Sequence, residues 1–364
     1  MTRQAVSINT AAPCMTGQTF AARVLTWFDR HGRKDLPWQQ SPEPYPVWVS
    51  EIMLQQTQVA AVIPYYQRFM ERFPDIQTLA GAPVDAVLAA WSGLGYYARA
   101  RNLHRAAQLI ARQERFPDTL DALTKLPGIG RSTAGAILSI AFNDSHAILD
   151  GNVKRVLSRF YAVPGWPGEN RVAVELWRLS AACTPRNRAA DYTQAIMDLG
   201  ATVCLRSTPL CQRCPLNKEC RARLEQRIDS LPGRRPGRAM PTKHCVFLLL
   251  KDDSGKYILL EKRPETGIWG GLWSFPEYSN TDAALSWCQE RDFPILRQRT
   301  LRPRRHTFSH FHLDYTALVV HTENPRHFVM ESNRAVWYKV DTVDTLGIPA
   351  PVRQLLSFNE DNND

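Results

Sequence analysis

What the 364-residue sequence lacks narrows its class before any motif is read. No run approaches the ~18 apolar residues of a membrane helix; the longest comparable stretch, Val246–Leu250, stops at Lys251-Asp252-Asp253. The first twenty residues have no continuous apolar core of the kind a secretion signal carries. Cysteine is sparse, eight in all, which excludes the disulfide scaffold of a small secreted protein. Internal repeats and low-complexity tracts are absent, so solenoid and disordered classes fall away. Acid is in the minority, with 35 Asp+Glu against 45 Lys+Arg and a net charge of +10. That balance favours polyanionic partners, nucleic acid first, over a merely basic protein. The expected protein is intracellular, has no membrane segment, and is long enough for two domains or three.

Two periodicities divide what is present. Residues 1–18 carry little apolar pattern and read as an N-terminal extension. From Phe20 the period is helical, with Phe20, Val24, Trp27 and Phe28 on one face. Helical segments follow in series, broken by turn signals such as Gly93-Leu94-Gly95 and Phe116-Pro117-Asp118, and alternating strand patterns are scarce before residue 220. Arg221–Lys243 holds seven basic residues against two acidic ones, and its second half has linker composition. Beyond it Cys245–Leu250, Lys256–Lys262, Phe311–Val320 and Ala335–Val340 read as strands, Ser254-Gly255 as a hairpin turn and Ala283–Glu290 as a helix. The expected plan is an all-α domain over 19–225, a basic linker over 226–243, a smaller α+β domain over 244–355 and an acidic tail over 356–364.

Chemistry gathers in three places. Cys204, Cys211, Cys214 and Cys220 place four thiols within seventeen residues, enough to wrap one metal centre. Zinc and a [4Fe–4S] cluster both accept four thiolates, and spacing physics alone leaves the metal open. Leu126-Pro127-Gly128-Ile129-Gly130 joins two helical stretches, so a tight glycine turn delivers a helix N-terminus whose free N–H groups suit a phosphate. The plainer reading is a turn and nothing more. The third place is a pair of acids. Glu51 is the one acid in an apolar run, Val47 to Met53, and Asp150 heads a helix after Ala147-Ile148-Leu149. Cleaving a glycosidic bond commonly takes one carboxyl that holds its proton, as apolar burial arranges, and one that stays ionised, as a helix N-terminus favours. An exposed helix face and a simple N-cap are the plain alternatives.

In order along the chain, Leu36-Pro37-Trp38, Ser50 to Val59, Gly93 to Leu103, Leu126 to Ile137, Leu149 to Arg155 and the four-cysteine loop with its x6–x2–x5 spacing closely resemble the MutY family of adenine DNA glycosylases, within the endonuclease III-like helix–hairpin–helix superfamily. The resemblance runs from about residue 19 to 355. It implies a monofunctional glycosylase that hydrolyses the bond to adenine mispaired with 8-oxoguanine, or more weakly guanine, and leaves an abasic site. By resemblance Glu51 protonates the flipped adenine, Asp150 stabilises the cationic sugar, Asn152 supports this site and Gln194 contacts adenine. Gln56 and Tyr96 match residues inserted into the base stack, and Gly128, Gly130 and Lys154 match backbone contacts. The four cysteines would hold a [4Fe–4S] cluster. The implied substrate is double-stranded DNA carrying these mispairs, the implied setting the bacterial cytoplasm, and the implied state a monomer.

Two departures from the family pattern stand out: Gln39 where some relatives carry Arg, and Ser132 where some carry Tyr. Ser132 also separates the main rival, a bifunctional endonuclease III-like lyase acting on oxidised pyrimidines. Such lyases place at this position a lysine that forms a Schiff base with the sugar, which serine cannot do. In the second domain Gly267 to Glu277 resembles the opening of a Nudix domain, yet no acidic box follows, so diphosphate hydrolysis is not expected. The run from Arg304 to His312 taken alone reads as a basic strand edge, or suggests a metal at His306, His310 and His312; by resemblance Phe308, Ser309 and His310 instead form the loop that recognises 8-oxoguanine.

Overall fold

The computed structural model describes residues 16–40, 42–237, 239–323, 335–340 and 346–357. Most of the N-terminal extension and most of the acidic tail lie outside the described residues. Among the described residues twelve α-helices precede the linker: α1 (Gly17–His31), α2 (Pro44–Leu54), α3 (Val59–Arg72), α4 (Ile76–Gly81), α5 (Val84–Ala90), α6 (Ala98–Ile110), α7 (Leu120–Thr124), α8 (Arg131–Phe142), α9 (Gly151–Phe160), α10 (Asn170–Cys183), α11 (Ala189–Asp198) and α12 (Arg221–Leu224). By compactness the chain forms two units, one of residues 1–66 with 109–237, the other of 67–108 with 238–364.

In the first unit, α8 is the hub. Its Ala134 to Ile140 are all buried, and α2, α7 and α11 pack on it. A helix apolar on every side must sit inside. α2 is built alike, burying Tyr45, Val47, Trp48, Val49, Ser50, Ile52 and Met53, and the acid it carries, Glu51, is half-buried beside them. The expected α1 face, Phe20, Val24, Trp27 and Phe28, is buried.

The second unit is built on a mixed sheet: β1 (Thr242–Asp252), β2 (Tyr257–Lys262), β3 (Trp273–Ser274), β4 (Glu277–Tyr278), β5 (Arg297–Thr300), β6 (Arg304–Thr307), β7 (His312–Thr322) and β8 (Ala335–Lys339). β1 and β7 run parallel at its centre. Cys245, Phe247 and Leu249 face one core, and Val246, Leu248 and Leu250 face another beneath α13 (Thr281–Glu290). Burial on both faces is why this strand reads as a continuous apolar run rather than an alternation. β6 is the basic strand edge expected at Arg304–Thr307, whereas β5 was not legible in the sequence: it is wholly exposed, and an edge strand of that kind has no apolar pattern to read. Helices from 67–108 belong to this unit through contacts with it: Lys262 pairs with Asp85 at 2.9 Å, Arg105 with Glu265 at 2.5 Å, and Ser92 Oγ donates to the Ile348 carbonyl at 3.2 Å.

Candidate active site and DNA-facing elements

Two carboxyls of the first unit lie close enough to feel each other's charge. Glu51 is in the last turn of α2, where the helix dipole disfavours an anion. Burial, and then the charge of Asp150, push its pKa from 4.5 up to about 8. Asp150 is the N-cap of α9, accepting the Val153 N–H at 2.8 Å and an Asn152 Nδ2 donor at 3.2 Å. A helix N-terminus alone predicts a firmly ionised Asp150. Burial outweighs it and raises the pKa, against the Val153 and Asn152 amides and the nearby Arg155 charge. The geometry is therefore one carboxyl that keeps its proton at neutral pH beside another whose amide donors favour its ionised form against burial.

Side chains beyond the two acids hold this pair in place. Ser132 Oγ accepts the Leu149 N–H at 2.9 Å, tying the first turn of α8 to the residue before Asp150. Arg155 donates to Asn152 Oδ1 at 2.8 Å and to the carbonyls of Gly200 at 2.7 Å and Cys204 at 2.6 Å. Its three-residue spacing from Asn152 on one helix is the signal that could have marked it; nothing in the sequence marks the link between Ser132 and Leu149. Gln39 is engaged in its own turn, its amide donating to the Arg33 carbonyl at 3.0 Å and its Oε1 accepting the Leu36 N–H at 3.1 Å. Gln194 is half-buried on α11, and Lys154 half-buried on α9.

The hairpin before α8 has the expected form but divides its glycines. Gly128 lies at φ +78°, which only glycine adopts freely. Gly130 is the N-cap of α8 at φ −88°, and a Cβ there would meet nothing within 4 Å. Gln56, directly after Gln55 at the end of α2, is exposed at φ +57°; in the second unit Tyr96 is exposed at φ +48°. Both are non-glycine residues held in the left-handed region on the surface, a placement that clusters at functional sites.

All four loop cysteines line one cavity, together with Val156, Phe160, Val203 and Leu216. Burial raises the thiol pKa of Cys211, Cys214 (to about 12) and Cys220, a cost that a bound cationic centre removes by taking thiolate ligands. Arg159 braces the loop, donating to the carbonyls of Leu205 at 2.6 Å, Arg206 at 2.9 Å and Leu231 at 2.9 Å, with Cys204 Sγ at 3.4 Å. The donor set and its shared cavity fit a four-thiolate group. Among the described residues no three His, Cys, Asp or Glu converge as ligands of a single metal ion. The histidines of the second unit have other partners: His306 lies edge-on to Phe308 at 4.6 Å, and His312 Nδ1 meets Thr307 Oγ1 at 3.0 Å. Phe308 stacks on Phe311 at 4.4 Å and rests against Trp269 at 5.4 Å, leaving Ser309 and His310 exposed at the tip of the turn.

Comparison with known proteins agrees with both halves. Residues 49–182 match the HhH-GPD superfamily of base excision DNA repair proteins, and residues 245–358 match the NUDIX domain. The adenine DNA glycosylase of Buchnera aphidicola from Acyrthosiphon pisum is 39% identical over 344 residues, 94% of this chain and 98% of the relative. The chain belongs to the adenine DNA glycosylase family. The human adenine DNA glycosylase is 36% identical over 362 residues, 81% of this chain and 66% of that protein. A solved thermostable thymine-DNA glycosylase superimposes with a TM-score of 0.52 at 25% identity, over 57% of this chain and 97% of that one. As a member of the family the protein is a base excision repair glycosylase, and the endonuclease III-like lyase reading is not favoured. The all-α helix–hairpin–helix domain followed by a Nudix-like α+β domain is the fold expected from the residues. In the Nudix-like half α13 carries Asp282 and Glu290 as its acids. No helix among the described residues is long and apolar enough to cross a membrane.

Proposed function

We propose that the protein hydrolyses the N-glycosidic bond of adenine paired with 8-oxoguanine, and more slowly with guanine, in double-stranded DNA, leaving an abasic site. The observation that carries this reading is the Glu51 carboxyl, held by burial at a pKa of about 8 beside Asp150. An acid of that kind can give its proton to the leaving adenine at neutral pH. As the bond breaks, positive charge grows on the sugar and further favours the ionised form of Asp150. The Val153 amide and Asn152 side chain then stabilise its carboxylate opposite the cation. Gln194 contacts the adenine. Gln56 and Tyr96 enter the stack that the flipped base leaves, while the Gly128–Gly130 hairpin and Lys154 hold phosphate. Ser309 and His310, presented by the Phe308 anchor, read the 8-oxoguanine.

Cys204, Cys211, Cys214 and Cys220 are proposed to hold a [4Fe–4S] cluster, which when bound ties the loop together through four thiolates. No Schiff base forms with the sugar at this position, because Ser132 has no amine; its hydroxyl accepts the Leu149 N–H. The test is to incubate duplexes carrying each mispair and compare strand cleavage with and without hot alkali. Cleavage only after alkali, on the adenine strand, is the expected result. Cleavage without alkali, or on duplexes carrying oxidised pyrimidines, would overturn the reading.

A further inference from the structure

Within the second compact unit, Tyr96 stands on a turn whose backbone is unusual for such a residue. Gly93, Gly95 and Tyr96 lie at φ +105°, +70° and +48°, so three of four consecutive residues are left-handed. Glycine accepts that region freely, but a tyrosine persists there only when its surroundings hold it. The ring nevertheless points outward and is 50% exposed, while Leu94 beside it is buried. A conformational cost is thus met in order to hold a large apolar side chain in water.

The holding is done from inside. Arg99 is only 9% exposed, and its Nη2 donates to the carbonyls of Leu94 at 3.3 Å and Gly95 at 3.2 Å. Trp91, fully buried, donates from Nε1 to the same Gly95 carbonyl at 3.2 Å. The Arg99 guanidinium lies between two rings, 5.4 Å from the centroid of Trp91 and 5.6 Å from that of Tyr96. Its own amide donates to the Tyr96 carbonyl at 2.9 Å. Burying this group is expensive enough to push its pKa down to about 10. An apolar residue would pack such a site at less cost, so the arginine is better explained by what it fixes than by stability.

We infer that Arg99 is a positioning residue for DNA engagement, which presets the Tyr96 turn and orients the phenol ring for insertion into the duplex. This rests on the proposal that Tyr96 is inserted. A preset ring and turn do not have to be ordered on binding, which accounts for roughly three- to tenfold in affinity. A lysine at this position keeps the charge and can reach the carbonyls, but has no planar group to lie against the two rings at the same time, so it loses the function.

The experiment is a double-mutant cycle in the full chain, using a duplex with a stable abasic analogue opposite 8-oxoguanine, titrated at several salt concentrations. Tyr96→Ala should weaken binding by roughly five- to a hundredfold, the range of one stacked base. Arg99→Lys should weaken it about three- to tenfold in the Tyr96 chain and less than twofold in the Tyr96→Ala chain, with the salt slope unchanged. Equal losses in both backgrounds, or no loss in either, would overturn the inference while leaving the insertion of Tyr96 standing. A salt slope reduced by about one would reassign Arg99 as a phosphate contact. If Tyr96→Ala alone has no effect, both the insertion reading and the inference fall. Melting temperatures of all four proteins check folding; should Arg99→Lys not fold, Arg99→Gln, which keeps an amide donor, takes its place in the cycle.

Discussion

Glu51 is where burial and chemistry meet most directly, and its two effects can be separated by measurement. A carboxyl whose folded value is raised from 4.5 to about 8 contributes full relative stability below the lower value and loses it as pH rises to the upper. At 1.36 kcal/mol per unit, the loss at pH 7 reaches roughly 3 kcal/mol. Glu51→Gln removes it. The variant should therefore melt higher than the parent at pH 7 and level with it near pH 4, when the two are compared by thermal denaturation. The same change takes away the proton, so single-turnover excision should fall by ~10²–10⁴-fold while mispair binding survives. In the parent, excision should decline as pH rises through about 8, because the acid form is then lost. A variant that excises normally would remove Glu51 from the reaction; one that melts lower at pH 7 would show that its burial carries no charge penalty.

At the scale of elements, the hairpin and the cysteine loop make opposite demands on their residues. Gly128→Ala forces a side chain into the left-handed region at φ +78° and should cost about 1–2 kcal/mol. Gly130→Ala adds a Cβ that meets nothing in the protein and should leave the melting temperature within a degree or so. Its effect should appear only with DNA, as an affinity loss similar for all sequences, since a backbone contact reads none. Unchanged DNA affinity for Gly130→Ala would mean that the open space before α8 is not filled by phosphate. For the cysteine loop the expected outcome is a yellow-brown protein containing iron, with absorbance at roughly 400 nm. Cys214→Ser should lower both the iron content and the protection of residues 204–220 from proteolysis. One zinc and no iron in the parent would reject the cluster while leaving the helical fold untouched.

Across the whole molecule, removal of the base and recognition of its partner are proposed to belong to different units. Every acid and hairpin feature lies in residues 1–66 and 109–237, whereas Phe308, Ser309 and His310 lie in the other unit. Oxidation of guanine replaces an acceptor by an N–H donor and adds a carbonyl, a difference that one well-placed hydrogen bond converts into roughly 1–3 kcal/mol. Replacing Ser309 and His310 together by Ala should shrink the affinity ratio between 8-oxoguanine and guanine mispairs by about ten- to a hundredfold. Excision from a saturated complex should change far less. The measurement is a pair of titrations at one salt concentration alongside single-turnover rates, and an unchanged ratio would place recognition elsewhere. Both residues are exposed on a turn anchored by Phe308 and Phe311, so the double variant should keep the parent's melting temperature.

Patterns local in the chain were legible without coordinates: the α1 face, the N-cap at Asp150, the thiol spacing, the tight turn at Gly128 and the apolar run of β1. Each depends on residues within a turn or two of one another, where helix and strand periods act directly. The membership of 67–108 in the second unit, the exposed strand β5, and the bonds from Ser132 to Leu149 and from Arg155 to Cys204 were not legible. The apolar run around Glu51 did point to a carboxyl that holds its proton, but the size of that shift and the rise at Asp150 were not legible. That Glu51 titrates near 8, and that burial lifts Asp150 against its own helix N-terminus, follows from how α2, α8 and α9 pack. Desolvation depends on what surrounds a carboxyl in space, and residues far apart in the chain supply those surroundings.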